Sequence, residues 1–356
     1  MKLVRQSARA ALAMAVASVL ALASCSDSNQ PSDSSGFIDP QGLQTEMNGL
    51  VAMLTAGPLI GMRNTQIYGA TAMDQLSRGH GSGLSAIMGV WPTVGGDRHL
   101  VTMGDAIDDS YYSTVFVVNP QTFWYEDDGT NSGPANGVRF VLYALNSGAP
   151  DHNTPLGYLD VLDQSDQTKS QVGIVVTDLN RTVTYANYSI TLPDTFDPVA
   201  QAYDLVASGT LSDGQDIVDF SAHRAQTSPS DLRWNVSLTG PHASMIYDFE
   251  STTDPQTNVE QIDVDFTVQG RNETVRESET QDYDHDTATY GPTSGTAIWA
   301  DGRSFASATP DHPFWVKENG QPLTSAEENL IEAIGVARGE NYDAYALVYF
   351  LAIVTP

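Results

Sequence analysis

The chain has 356 residues, with 44 acidic against 16 basic side chains and a formal net charge of −28 at pH 7. That balance argues against nucleic acid as a partner, because affinity for phosphate backbones comes largely from Lys and Arg. It argues equally against electrostatic adsorption to anionic lipid, which needs basic clusters. With 41% hydrophobic residues, the chain can bury a substantial core as one large β domain or as two domains.

Residues 1–24 have the build of a signal peptide. Lys2, Arg5 and Arg9 form a basic start, Ala10 to Leu22 is an apolar stretch of 13 residues, and Ala23 and Ser24 make a small-residue end. A stretch of that length is too short to span a bilayer core, which needs about 20 residues. Next comes Cys25, the one cysteine of the chain. Leu22-Ala23-Ser24-Cys25 resembles the lipobox of bacterial lipoproteins: a leucine, two small residues and the cysteine. The resemblance implies that Leu22, Ala23 and Ser24 form the recognition site, that the Cys25 thiol is joined to diacylglycerol, and that the chain is cut before it and acylated there. It covers the first 25 residues and implies nothing about the rest.

With Cys25 committed to lipid, the body has no thiol nucleophile, disulfide or thiolate metal ligand. Two or three acyl chains, at about 0.8 kcal/mol per buried methylene, hold a protein durably on a membrane. The partner implied is therefore the membrane, reached through the lipid on Cys25. Residues 25–36 are the lipidated flexible tether, since Ser26 to Gly36, "SDSNQPSDSSG", has nothing apolar to bury. In lipoproteins of this kind an aspartate directly after the cysteine favours inner-membrane retention. Ser26 stands there, so the resemblance implies a lipid-anchored envelope protein of the outer membrane. The signal segment carries three basic and no acidic residues, so its loss takes the charge from −28 to −31.

Residues 37–110 are expected to be helical and loop-rich. Asp39-Pro40 has the form of an N-cap and first-turn proline. Leu43, Met47, Leu50, Val51 and Leu54 recur at helical spacing before Gly57-Pro58. Short helical turns are expected near Gln66 to Arg78 and Ser85 to Val90.

From about Tyr111 to residue 320 the apolar period becomes two. "VEQIDVDFTVQ" sets Ile262, Val264, Phe266 and Val268 on one face, and "DLRWNVSLT" does the same with Leu232, Trp234, Val236 and Leu238. Around a dozen such segments are separated by short gaps, with Asp128-Gly129, Asp213-Gly214 and Asp301-Gly302 as hairpin signals. Residues 321–356 are expected to close the fold. Thr324 to Glu327 is a capping box, Leu330, Ile331 and Ile334 form an apolar face, Gly339 is the expected stop, and Ala344 to Val354 is a buried helix or strand. The predicted class is α+β: a large curved antiparallel meander, half-barrel-like, packed against N-terminal and C-terminal helices.

Chemistry is sparsely marked. The seven histidines form no HExxH pattern. "GHGSGLS" resembles a nucleophile loop around Ser82 or Ser85, but neither serine fits G-x-S-x-G. In "DYDHD", Asp282, Asp284 and Asp286 alternate and are weak candidates for Ca²⁺, although Thr287 and Thr293 occupy the places where a calcium-hand loop needs Gly and Glu. On an extended strand they would line a solvated face instead. No other cofactor is implied and no catalytic residue stands out. The expected function is a non-enzymatic, lipid-anchored binding protein for an apolar or carbohydrate ligand, or a structural partner. An envelope hydrolase using carboxylates from separate strands and a membrane-spanning barrel are the alternatives.

Overall fold

The computed structural model describes residues 37–62, 112–121 and 125–352, apart from 131, 148, 167–168, 170, 192–202, 229, 292–294 and 310–311. Cys25 and its lipobox, the turns expected within 66–90, and Ser82 and Ser85 lie outside those residues.

Helix α1 is Pro40–Leu54, and its first turn bears out the N-cap expectation: the Asp39 carboxylate accepts from Gly42 N at 2.9 Å, with proline at the first helical position. Leu43, Met47, Leu50, Met53 and Leu54 are its buried stripe. After a turn at Thr55 and Ala56 the chain is helical again over residues 57–62.

The strands follow in chain order. They are β1 (Val115–Val118), β2 (Tyr125–Asp127), β3 (Gly137–Asn146), β4 (Ala149–Asp163), β5 (Gln171–Asp178), β6 (Thr184–Thr191), β7 (Tyr203–Ser212) and β8 (Ile217–Ser228). Then come β9 (Asp231–Thr239), β10 (Ser244–Asp254), β11 (Val259–Gln269), β12 (Thr274–Asp284), β13 (Thr289–Tyr290), β14 (Gly295–Ala300), β15 (Arg303–Thr309) and β16 (His312–Lys317). Helix α2 is Ser325–Ala352.

All sixteen strands belong to one sheet. From β3 onward each strand pairs antiparallel with its sequence neighbour, except that β14 takes the place beside β12 and β13 pairs with β12 off the main path. At the other edge β1 joins β3 parallel and β2 pairs with β1. The order runs from β16 to β2, and no ladder among the described residues closes it. The fold is β-dominated: an open, mostly antiparallel sheet with few helices.

Period two produces this arrangement because alternate side chains leave a strand on opposite faces. Trp234, Val236 and Leu238 of β9 stand opposite Phe249, Tyr247 and Met245 of β10, which stand opposite Val264, Phe266 and Val268 of β11. The rings touch along this face, with Trp234 and Tyr247 stacked at 4.8 Å and Trp234 to Phe249 at 5.1 Å. Gly209 of β7 lies between Tyr188 and Phe220 in the ladder, and without a side chain there the two rings meet at 5.1 Å. Each large side chain so buried contributes about 1.5–3 kcal/mol. Of the hairpin signals, Asp301-Gly302 is a true two-residue turn with φ of 47° and 74°, the geometry of a type I′ turn. Asp128-Gly129 and Asp213-Gly214 sit in longer loops.

Hairpin tips meet α1. A side chain on Gly240 would press on Leu50, and one on Gly270 on Leu43 and Glu46. The Glu273 carboxylate, buried in the β11–β12 turn, accepts from Ile38 N at 3.0 Å and Asp39 N at 3.1 Å. The capping box opens α2 as expected: Thr324 N donates to Glu327 Oε2 at 2.6 Å, and Lys317 Nζ reaches the same oxygen at 2.8 Å. Gly339, in contrast, is no stop. It has no positive φ, and the helix runs on to Ala352. No helix among the described residues is long and apolar enough to cross a membrane.

Candidate functional site

Strand β12 interrupts the apolar rows. Its Glu277 stands opposite Phe266, and its Glu279 opposite Val264, so two carboxylates occupy positions that hold aromatic or aliphatic side chains on β9, β10 and β11. Arg338 of α2 answers both. Its Nη1 is 3.3 Å from Glu277 Oε1 and 2.8 Å from Glu279 Oε2. The Glu277 side chain is 8% exposed, that of Glu279 23% and that of Arg338 30%. The remaining Glu277 oxygen, Oε2, is buried with no hydrogen-bond partner. Burial pushes the Glu277 carboxyl up from its ordinary range, Arg338 opposes that rise, and the neighbouring Glu279 adds to it.

Beside this triad is a cleft of about 270 Å³ between α2 and strands β10 to β12. Tyr247, Ile262 and Val264 give it an apolar floor, and Glu279, Gln281 and Arg338 a polar end. Gly335 and Gly339 form its helical wall. A Cβ added at either glycine would meet nothing within 4 Å, so the helix surface there is open.

The opposite face of the same strands carries a second, wetter groove of about 350 Å³, with His223, Asn235, Asp248, Glu250, Asp263 and Asp265 among its walls. Here every carboxylate has a donor. Asn235 gives an N–H to Asp248, Arg233 pairs with Glu250 at 2.6 Å, and Thr280 donates to Asp263 at 2.6 Å. Arg276 forks onto Asp265 through Nε and Nη2, both at 2.8 Å.

The calcium expectation meets a different arrangement. Asp284 Oδ1 accepts from Asp286 N at 2.8 Å and Thr287 N at 3.2 Å, and Asp286 Oδ1 accepts from Asn258 Nδ2 at 2.7 Å. These bonds make the turn after β12. Hydrogen bonds from the Thr287 side chain, then from the Thr287 and Asp286 backbone, hold the Asp284 carboxyl below its ordinary range. Asp282 stands on β12 opposite Gln261. Among the described residues no three His, Cys, Asp or Glu side chains, these three included, are grouped so as to hold a metal ion.

The sequence pattern left Glu277, Glu279 and Arg338 unmarked, because β12 lacks apolar alternation. One signal was present. Arg338 falls eight residues after Leu330, on the stripe that Ile331, Ile334 and Ala337 bury, and a cation on a buried stripe calls for a carboxylate opposite.

No family model matches the chain, and no curated protein or solved structure matches it either. Function is therefore argued from the site. Two neighbouring carboxylates, one with a raised pKa, have the ingredients of acid–base chemistry. However, Glu277 is sealed from the cleft's solvent and both carboxylates share one guanidinium. What opens to the cleft is Glu279, Arg338 and the glycine wall of α2.

Proposed function

We propose that the chain is an exported, lipid-anchored protein of the bacterial outer membrane that binds a small amphiphilic ligand without transforming it. In this reading Cys25 carries the lipid, and residues 25–36 tether the body that begins near Phe37. The large sheet curls as a half-barrel, with one face covered by α1 and α2, as strongly twisted sheets of many strands tend to do. The observation that carries the binding reading is the cleft itself: apolar floor, glycine-walled helix, and a few convergent polar groups, the build of a small-molecule site. The charge of −31 left once the signal segment is removed supports attachment through lipid, since such a surface is repelled by anionic headgroups.

Two measurements test it. Cys25→Ser is expected to move the protein from the membrane to the soluble fraction of cells, and a variant still pelleting with membranes overturns the anchor. Native mass spectrometry of the purified protein is expected to find a small bound amphiphile, which Gly335→Leu displaces by filling the cleft. A protein that is empty from every source and also fails to take up added amphiphiles overturns the binding reading.

A further inference from the structure

The charge at the polar end of the cleft identifies the ligand further, on the premise that the cleft binds one. Two carboxylates meet one guanidinium there, so with both ionised the triad is one positive charge short. The shortage has an address, because Glu277 Oε2 is buried with no donor. Arg338 carries five N–H donors, yet both carboxylates are met at the same Nη1 atom. The guanidinium is divided between two partners and faces neither with its full fork.

We infer that the cleft takes a small single-chain amphiphile with a cationic, hydrogen-bond-donating head, an alkylammonium group above all. The ammonium sits against Glu279, the more open of the two carboxylates, while the alkyl portion covers Val264, Ile262 and the Tyr247 ring. With Glu279 so neutralised, Arg338 turns its fork onto Glu277 and supplies the donor that Oε2 lacks. Binding thus exchanges one shared cation for two cations on two carboxylates, and charge-assisted bonds of this kind are the strong ones. The net charge of −28 raises the local concentration of such cations and lowers that of anions.

Size narrows the class. A cleft of about 270 Å³ lies at the small end of small-molecule sites, which favours one short chain over a diacyl lipid bearing the same headgroup. The two glycines fit this use. Glycine is costly inside a helix, and Gly335 and Gly339 both line the cleft, with open space where a Cβ would stand.

The experiment is a calorimetric titration of the purified full-length chain at pH 7.5 with n-octylammonium, n-octanol and octanoate, ligands of one length and three charges. Octylammonium is expected to bind at least about tenfold tighter than octanol, and octanoate weakest. Glu279→Gln, nearly isosteric, is expected to bring octylammonium down to the level of octanol and leave octanol unchanged. Gly335→Leu and Gly339→Leu are expected to abolish all binding while melting no lower than the parent chain. Dioctanoyl phosphatidylethanolamine, the lipid form of the headgroup, is expected not to compete. Equal binding of the three probes overturns the choice of charge and leaves the binding cleft standing. Competition by the diacyl lipid overturns the size assignment. Failure of every probe overturns the inference together with the reading on which it rests.

Discussion

The two faces of strands β9 to β12 pose the same electrostatic problem and solve it differently. On the wet face, Asp248, Glu250, Asp263 and Asp265 lie on adjacent strands, where like charges directly opposite are destabilising. Each is given its own donor from a neighbouring strand, and all remain open enough for water and salt to share the load. On the covered face, Glu277 and Glu279 have one guanidinium between them and little solvent. The difference teaches where a carboxylate's energy resides. Outside, it is spread over cheap, screened contacts; inside, it is concentrated in a single cross-link between α2 and β12, because unpaired charge in a low-dielectric site is expensive.

Removing that cross-link gives the largest effect expected. Arg338→Met keeps an apolar stem against the sheet but strands two carboxylates beside apolar side chains. Breaking a buried pair costs about 3–5 kcal/mol, and because Arg338 is 30% exposed water recovers part of that. A loss of about 2 kcal/mol in urea unfolding is expected, mostly restored when Glu277→Gln is added to the same chain. A cost below about 0.5 kcal/mol, or no restoration in the double variant, would mean that the covered face tolerates charge as the wet one does.

Glu277→Gln alone sharpens the comparison with the opposite sign. The folded protein holds the Glu277 carboxyl above its ordinary range, chiefly through burial. Such a group contributes stability that is fully present below its unfolded pKa and is lost as pH rises through the folded pKa. The neutral glutamine mimics the protonated form and should escape that loss. Near pH 7.5 the variant is expected to melt about 2 °C higher than the parent, with the two curves converging below about pH 4, where an ordinary glutamate is protonated. A variant that melts lower at pH 7.5 would show that attraction to Arg338 outweighs the cost of burial.

The same contrast explains what was legible in the sequence. Strands such as Asp231–Thr239 and Val259–Gln269 stand out because apolar and polar residues alternate along them, and their ends agree with the observed strands. The capping box at Thr324 and the N-cap at Asp39 are local hydrogen-bond chemistry and survive into the structure. Strand β12 does not stand out because "TVRESETQDYD" puts glutamates where the pattern needs apolar residues. Their reason for facing inward, Arg338, lies 59 residues from Glu279. The candidate site was therefore hidden by the feature that defines it. Gly339 misled for a related reason: a glycine that opens space for a cleft looks, along the sequence, like one that ends a helix.

The smallest effect belongs to the wet face. Arg276 is 50% exposed and its partner Asp265 34% exposed, so the bidentate geometry acts in high dielectric and competes with solvent. Exposed pairs contribute about 0.2–1 kcal/mol, and Arg276→Ala is expected to cost about 0.5 kcal/mol at low salt. The residual penalty is repulsion within the acidic group once a cation is gone. Because the Debye length shrinks from about 10 Å at 0.1 M salt to about 3 Å at 1 M, that penalty should fade in concentrated sodium chloride, whereas the Arg338→Met penalty should persist there. Urea unfolding of both variants at the two salt concentrations checks this. If Arg276→Ala costs more than about 1 kcal/mol and salt does not relieve it, the wet face is as tightly coupled as the covered one, and the division of labour between them fails.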